Sequence, residues 1–104
     1  WDGATPLALP DGGTLALEGH PGKFDVPLSL SARVGGERIV LPGRDHGHAL
    51  KDVLQSLGLP PWERRQLPLL WRGDTLWAAG DLVLSAAADA WLRERDARLV
   101  WQRG

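Results

Sequence analysis

A chain of 104 residues fits one domain with one modest core, and 43% hydrophobic content is enough to fold it rather than leave it disordered. The absence of cysteine excludes a disulfide framework and a Cys-based zinc site, and no apolar run approaches the roughly 18–20 residues that a membrane span needs. Twelve Lys and Arg against thirteen Asp and Glu leave a net charge of −1, which excludes a globally basic nucleic-acid binder but not a local basic surface.

The first residue is Trp1, and we read the chain as a domain cut from a longer one. No basic start followed by an apolar stretch marks a signal peptide, and the lack of cysteine agrees with a cytoplasmic setting. Residues 1–10 are loosely patterned. Asp11-Gly12-Gly13 signals a turn, because glycine supplies the positive φ that tight turns need. Residues 14–18 read as a strand that Gly19-His20-Pro21-Gly22 breaks. In residues 26–34, Leu28, Leu30 and Ala32 alternate with Ser29, Ser31 and Arg33, the period of a half-buried strand. Gly35-Gly36 then predicts a hairpin, with residues 37–41 returning as a third strand that Pro42-Gly43 ends.

The clearest helix is predicted over about 46–57. Leu50, Val53, Leu54 and Leu57 share one face, Asp45 suits the N-cap, and Gly58 suits the C-terminal cap. Pro60-Pro61 forbids continuation, and residues 61–68 read as a proline-held loop. Residues 69–71 and 75–79 predict two strands joined by a turn at Arg72-Gly73-Asp74, and residues 82–84 a further short strand. Residues 85–95 fit either a short helix capped by Ser85 or a solvent-side excursion. Residues 98–102 close the chain as a strand. The expected class is α+β, mainly β: a small β-sandwich or barrel-like domain with one clear α-helix.

Few residues carry a chemical signature. No phosphate-cradling glycine loop and no GxSxG elbow is present, and no nucleophile–base set stands out, so no catalytic residue is assigned. His46 and His48 lie beside Asp45, but His20 is remote and no further ligand follows, so no metal site is assigned. They read as exposed polar residues at a helix start, within reach of a phosphate. Charge is unevenly spread. Arg33, Arg38, Arg44, Lys51, Arg64, Arg65 and Arg72 are interrupted only by Glu37, Asp45, Asp52 and Glu63 in the same stretch. Arg64-Arg65 in a proline-held loop suits phosphate, since each guanidinium offers a planar donor fork; a solvated loop with Glu63 as partner suits the sequence equally. Trp71, Trp77 and Trp101 sit in strand-like runs and are expected in the core. Trp62 is a candidate for stacking on a base, although pinning the loop to the core is the stronger expectation for a loop tryptophan.

Several segments together carry a resemblance. Leu9-Pro10-Asp11-Gly12-Gly13, Gly35-Gly36-Glu37-Arg38, Leu41-Pro42-Gly43-Arg44, Leu50-Lys51, Gly58-Leu59-Pro60-Pro61-Trp62-Glu63-Arg64-Arg65, Pro68-Leu69-Leu70, Leu76-Trp77-Ala78-Ala79 and Val100-Trp101-Gln102 follow one another in order. In this the chain resembles the C-terminal domain of bacterial tRNA(Ile)-lysidine synthases over nearly its whole length. Residues 86–97 match no motif of that family and look like a variable insertion.

The resemblance implies a fold like the B3/B4-type β domain of tRNA synthetases. It also implies a parent ligase that attaches lysine to the wobble cytidine of tRNA(Ile), using ATP and Mg held by an N-terminal catalytic domain of the same chain. The SGGxDS loop of that domain is missing from this sequence, so the fragment itself would hold no cofactor and do no chemistry. Its implied partners are the acceptor-stem region of the tRNA and the catalytic domain, with neither DNA nor a membrane. The clamp would comprise Arg38, Arg44, Lys51, Arg64, Arg65 and Arg72, with Arg33 outermost, because a stem is read through phosphates and shape. The competing reading is a β-rich protein-interaction or dimerisation module whose arginines are merely solvated.

Overall fold

The computed structural model describes residues 1–19 and 22–103. Of Gly19-His20-Pro21-Gly22, expected to end the strand over 14–18, His20 and Pro21 lie outside the described residues. In chain order the elements are β1 (Leu7–Ala8), β2 (Thr14–Glu18), β3 (Ser29–Ser31), β4 (Arg38–Ile39), β5 (His48–Ala49), α1 (Leu50–Ser56), α2 (Pro61–Arg64), β6 (Leu69–Arg72), β7 (Thr75–Ala79), β8 (Val83–Leu84), α3 (Ala86–Glu94) and β9 (Arg98–Gln102). They build three antiparallel sheets, ordered β1-β2-β9, β3-β6-β7-β8 and β4-β5. The mainly β expectation holds, with more helix than the sequence suggests.

In the first sheet, Leu15 pairs with Trp101 and Leu17 with Leu99. These four side chains share one face because alternate residues of a strand point the same way, and Leu15, Leu99 and Trp101 are buried. In the second sheet, β7 is central and is also touched by β4 and α3. Its residues Leu76, Trp77, Ala78 and Ala79 are therefore all buried, giving a continuous apolar run instead of an alternating one. The turn after β7 brings the two sheets together. Gly80 has φ +54°, and a Cβ there would come within 2.7 Å of Cε3 of Trp101 and 3.1 Å of Cδ1 of Leu67. Glycine meets both demands, a left-handed backbone and close approach of an indole.

The segment open to two readings is helical. Ser85 Oγ accepts the Ala88 N–H at 3.1 Å, a side-chain N-cap, and α3 delivers Ala88, Trp91 and Leu92 to the core. Neither the excursion nor the insertion describes it. Trp91 packs with Phe24 (centroids 5.2 Å) and Trp77 (6.0 Å), and Phe24 meets Trp1 edge-on at 5.3 Å. Trp77 and Trp101 are buried as expected, whereas Trp71 is half-buried and donates its indole N–H to Ser31 Oγ at 2.8 Å.

Three further expectations change. Gly35-Gly36 does turn the chain with positive φ, but the flanking strands do not form a hairpin: β3 pairs with β6, and β4 pairs with β5. The helix is Leu50–Ser56 rather than 46–57, because His48 and Ala49 are taken up by pairing with β4. Ala49, not Asp45, is its N-cap, and the first helical N–H, on Leu50, is satisfied by the Glu37 carbonyl at 2.9 Å. Leu57 falls just past the helix end and is 55% exposed. Residues 61–64 form the short helix α2, since Pro61 at the first position has no N–H to lose and a φ already set for a helix.

Glu37 is 7% exposed, an unusual position for a carboxylate. Its oxygens accept the Val34 N–H at 2.8 Å and the Gly35 N–H at 3.0 Å, and Arg33 Nε stands 3.7 Å away. An acid following a Gly-Gly turn can reach back to the amides it has just passed, and that spacing is the sequence signal for this residue.

Trp91→Ala is expected to cost about 3–5 kcal/mol in urea unfolding, the range for removing an aromatic from a core, whereas Ser85→Ala should cost about 1 kcal/mol for the missing cap. Equal, small losses would remove α3 from the core. Glu37→Ala should cost about 1–3 kcal/mol by stripping acceptors from two amides and a partner from Arg33. The Val34 and Gly35 amides should also lose hydrogen-exchange protection; unchanged protection would show that the carboxylate does not hold the turn.

Candidate nucleic-acid interface

Two groups of basic residues stand at opposite ends of α1. The first is built on the β4–β5 pair. Ile39 points into the core at 1% exposure, so its neighbour Arg38 faces outward. Arg38 Nη2 donates to the Gly47 carbonyl at 2.6 Å and so braces the loop between the two strands. That loop turns at Gly43, where the Arg44 N–H donates to Leu41 O at 3.0 Å, leaving the Arg44 side chain exposed. Lys51, exposed on the first turn of α1, follows directly from β5. His46 lies in the same loop, with Nδ1 at 2.9 Å from Asp45 Oδ1, and His48 is in β5; their rings are 4.9 Å apart. Neither is at a helix start. Among the described residues, no three His, Cys, Asp or Glu side chains come close enough to hold a metal ion.

The second group follows the end of α1, about 10 Å away along a seven-residue helix. Gly58, with φ +73°, closes α1: its N–H donates to Gln55 O at 3.0 Å and that of Leu59 to Leu54 O at 3.3 Å, the paired bonds of a Schellman cap. Gly58 is thus the cap the sequence predicts. The cap sends the chain into Pro60-Pro61 and α2, where Arg64 Nε donates to Leu59 O at 2.7 Å. Arg64 is half-buried and tethered; Arg65 is exposed. Glu63 pairs with Arg103 at 3.8 Å and not with either arginine. Trp62 is 68% exposed, so it does not pin the segment to the core, because α2 is short and turns this face outward.

The remaining two basic residues stand apart. Arg33 is turned inward, with 19% side-chain exposure, against Glu37. It is not the outermost member of a clamp. Arg72 ends β6, three residues of strand beyond Leu69, beside Val26 and Leu28 and the aromatic cluster. The seven residues therefore do not form one row.

Charge pairing separates the chain more sharply than charge counting does. Arg93, Arg95, Arg98 and Arg103 each stand within 4.0 Å of a carboxylate oxygen, the shortest being Arg98–Glu18 at 2.8 Å. Arg38, Arg44, Lys51, Arg64, Arg65 and Arg72 have no such partner among the described residues. An arginine without an internal anion keeps its donors for an external one.

Residues 28–101 match the family model described as the TilS substrate C-terminal domain. A tRNA(Ile)-lysidine synthase of Xanthomonas campestris pv. campestris (strain 8004) is 59% identical over 103 residues, covering 98% of this chain and 24% of that protein. The Xylella fastidiosa (strain 9a5c) protein of the same name is 50% identical over 107 residues, covering 98% of this chain and 24% of that one. The Shigella flexneri protein of the same name is 36% identical over 103 residues, covering 94% and 23%. The chain thus spans about a quarter of the length of the curated relatives it matches. A crystal structure of a TILS C-terminal domain superposes with a TM-score of 0.67 over 96% of this chain and 91% of that one, at 21% identity, which speaks for the fold. The chain belongs to the TilS substrate C-terminal domain family.

Proposed function

We propose that this chain is the tRNA-holding part of a tRNA(Ile)-lysidine synthase and that it grips the acceptor-stem region without taking part in the chemistry. The observation that carries this reading is the grouping of five basic side chains without carboxylate partners, Arg38, Arg44, Lys51, Arg64 and Arg65, at the two ends of α1. A-form RNA hides its major groove from side chains, so a protein gripping a stem works through phosphates and the shallow groove. Guanidinium groups without internal anions on a braced hairpin and on the short helix beyond the α1 cap suit that task, and so does Trp62, whose exposed ring can stack on an unpaired or terminal base. The parent enzyme's reaction, attachment of lysine to the wobble cytidine with ATP and Mg, belongs in this proposal to a catalytic domain of the same chain, working in the cytoplasm. No helix among the described residues is long and apolar enough to cross a membrane. Exposed Leu57 and Trp62 also suit a protein partner, and the same binding experiment separates the two readings.

The chain should bind an acceptor-stem minihelix of the isoleucine tRNA at low salt. Arg64→Ala/Arg65→Ala should weaken binding and flatten the salt dependence by about one log–log unit for each phosphate no longer neutralised. Urea unfolding of that variant controls for the Arg64 tether. Absence of binding at low salt, by the chain and by the full-length enzyme, would leave the interaction-module reading. Trp62→Ala should weaken binding by about 1–3 kcal/mol while leaving the salt slope unchanged, because stacking releases no counterion. A changed slope with unchanged affinity would refute stacking.

A further inference from the structure

The β1–β2 turn, the edge strand β3 and the connector from α2 to β6 enclose a cleft of about 310 Å³ that the basic groups do not explain. Its floor is apolar: Leu9 and Leu67 are buried beneath it, and Leu30 and Pro68 line its sides. Its rim is polar and carries both donors and acceptors. Asp11 commits one carboxylate oxygen to the Gly13 N–H at 3.0 Å and keeps the other. The Ser31 hydroxyl oxygen accepts from Trp71, which leaves its proton to donate. Gln66 is exposed, and Arg65 completes the rim.

We propose that this cleft receives an unpaired nucleobase from the bound RNA, and specifically one from the single-stranded 3′ end of the acceptor arm. The inference rests on the RNA-holding function proposed above. A base has two flat apolar faces and an edge that mixes donors and acceptors, which is the chemistry of this floor and rim. The volume lies at the small end of the range for small-molecule sites, as one base requires. Arg65 belongs both to the α2 group and to the rim, so a phosphate held there brings the attached nucleotide to the mouth of the cleft. A duplex cannot supply such a base, because its bases are stacked and paired, whereas the 3′ end of an acceptor arm can. A peptide added along β3 would also reach the cleft. However, β3 is only three residues long, and an arginine at the mouth favours an anionic chain over a neutral one.

The test compares three minihelices on the same protein: one with the single-stranded 3′ end, one blunt, and one whose 3′ nucleotides are abasic. The first should bind about tenfold more tightly than the blunt one, the effect of stacking roughly one base, and the abasic one should fall most of the way to the blunt value. Ala32→Trp, which fills the cleft from the residue just after β3, should collapse the ratio of overhang to blunt affinity towards one, and Gln66→Ala should reduce it. Equal affinity for overhang and blunt minihelices, or an abasic end that binds as tightly as the intact one, would overturn the cleft assignment while leaving the stem-gripping function standing. Failure of both the chain and the full-length enzyme to bind any of the three would bring down both.

Discussion

A carboxylate withdrawn from water is tolerated only where its oxygens are occupied, and Glu37 meets that condition with backbone amides on one side and Arg33 beside it. The same residue offers its carbonyl to the first amide of α1. One position therefore closes the glycine turn, orients the start of β4 and sets where α1 begins. Both basic groups hang from that arrangement. Arg38 is the next residue in the chain, Lys51 sits on the first turn of the helix, and α2 is reached through the cap at its other end. Acids in the same stretch are engaged elsewhere, Glu37 by backbone amides and Arg33, Asp45 by His46 and Glu63 by Arg103.

Net charge is a poor guide to this surface. The value of −1 is a sum over the whole chain, in which Asp89, Asp25, Glu94, Glu18 and Glu63 already pair with Arg93, Arg95, Arg98 and Arg103. Fields of exposed charges die away over roughly 8 Å at physiological ionic strength, so a phosphate near α2 responds to Arg64 and Arg65 and not to the distant total. Long side chains already engaged by neighbouring carboxylates have few donors left for a phosphate, whereas unengaged ones keep theirs.

Much of the strand pattern is legible in the sequence. β2, β6, β7 and β9 carry either clean alternation or a continuous apolar run, and Gly58 is recognisable because a left-handed residue after an apolar helix face has few other roles. The family resemblance is readable from ordered segments with unusual proline and tryptophan spacing. Less legible are the two-residue strands β1 and β5, which are shorter than the window in which period-2 alternation can be detected; β4 and β8, equally short, lie within the strands expected over 37–41 and 82–84. The start of α1 is misplaced in the sequence reading for that reason: His48 and Ala49 are strand only because β4 lies beside them. Trp62 escapes the sequence reading because burial of a loop aromatic depends on what packs over it. Of the ion pairs, Arg93–Asp89 can be read from helical spacing, but Arg98–Glu18 exists only through the β2–β9 register.

That register has a consequence for how the molecule assembles. β6 and β7 close over a two-residue turn, whereas Glu18 and Arg98 are separated by 80 residues when β2 and β9 zip together. Loop-closure entropy makes the first pairing early and the second late, since long-range pairing repays its cost only once the intervening chain is already compact. Arg38, Arg44, Lys51, Arg64, Arg65 and Arg72 all lie inside the loop that β2 and β9 close. The candidate RNA surface thus forms on the part of the chain that condenses first, and the pairing of β2 with β9, carrying Trp101 down onto Gly80, acts as a latch that seals it.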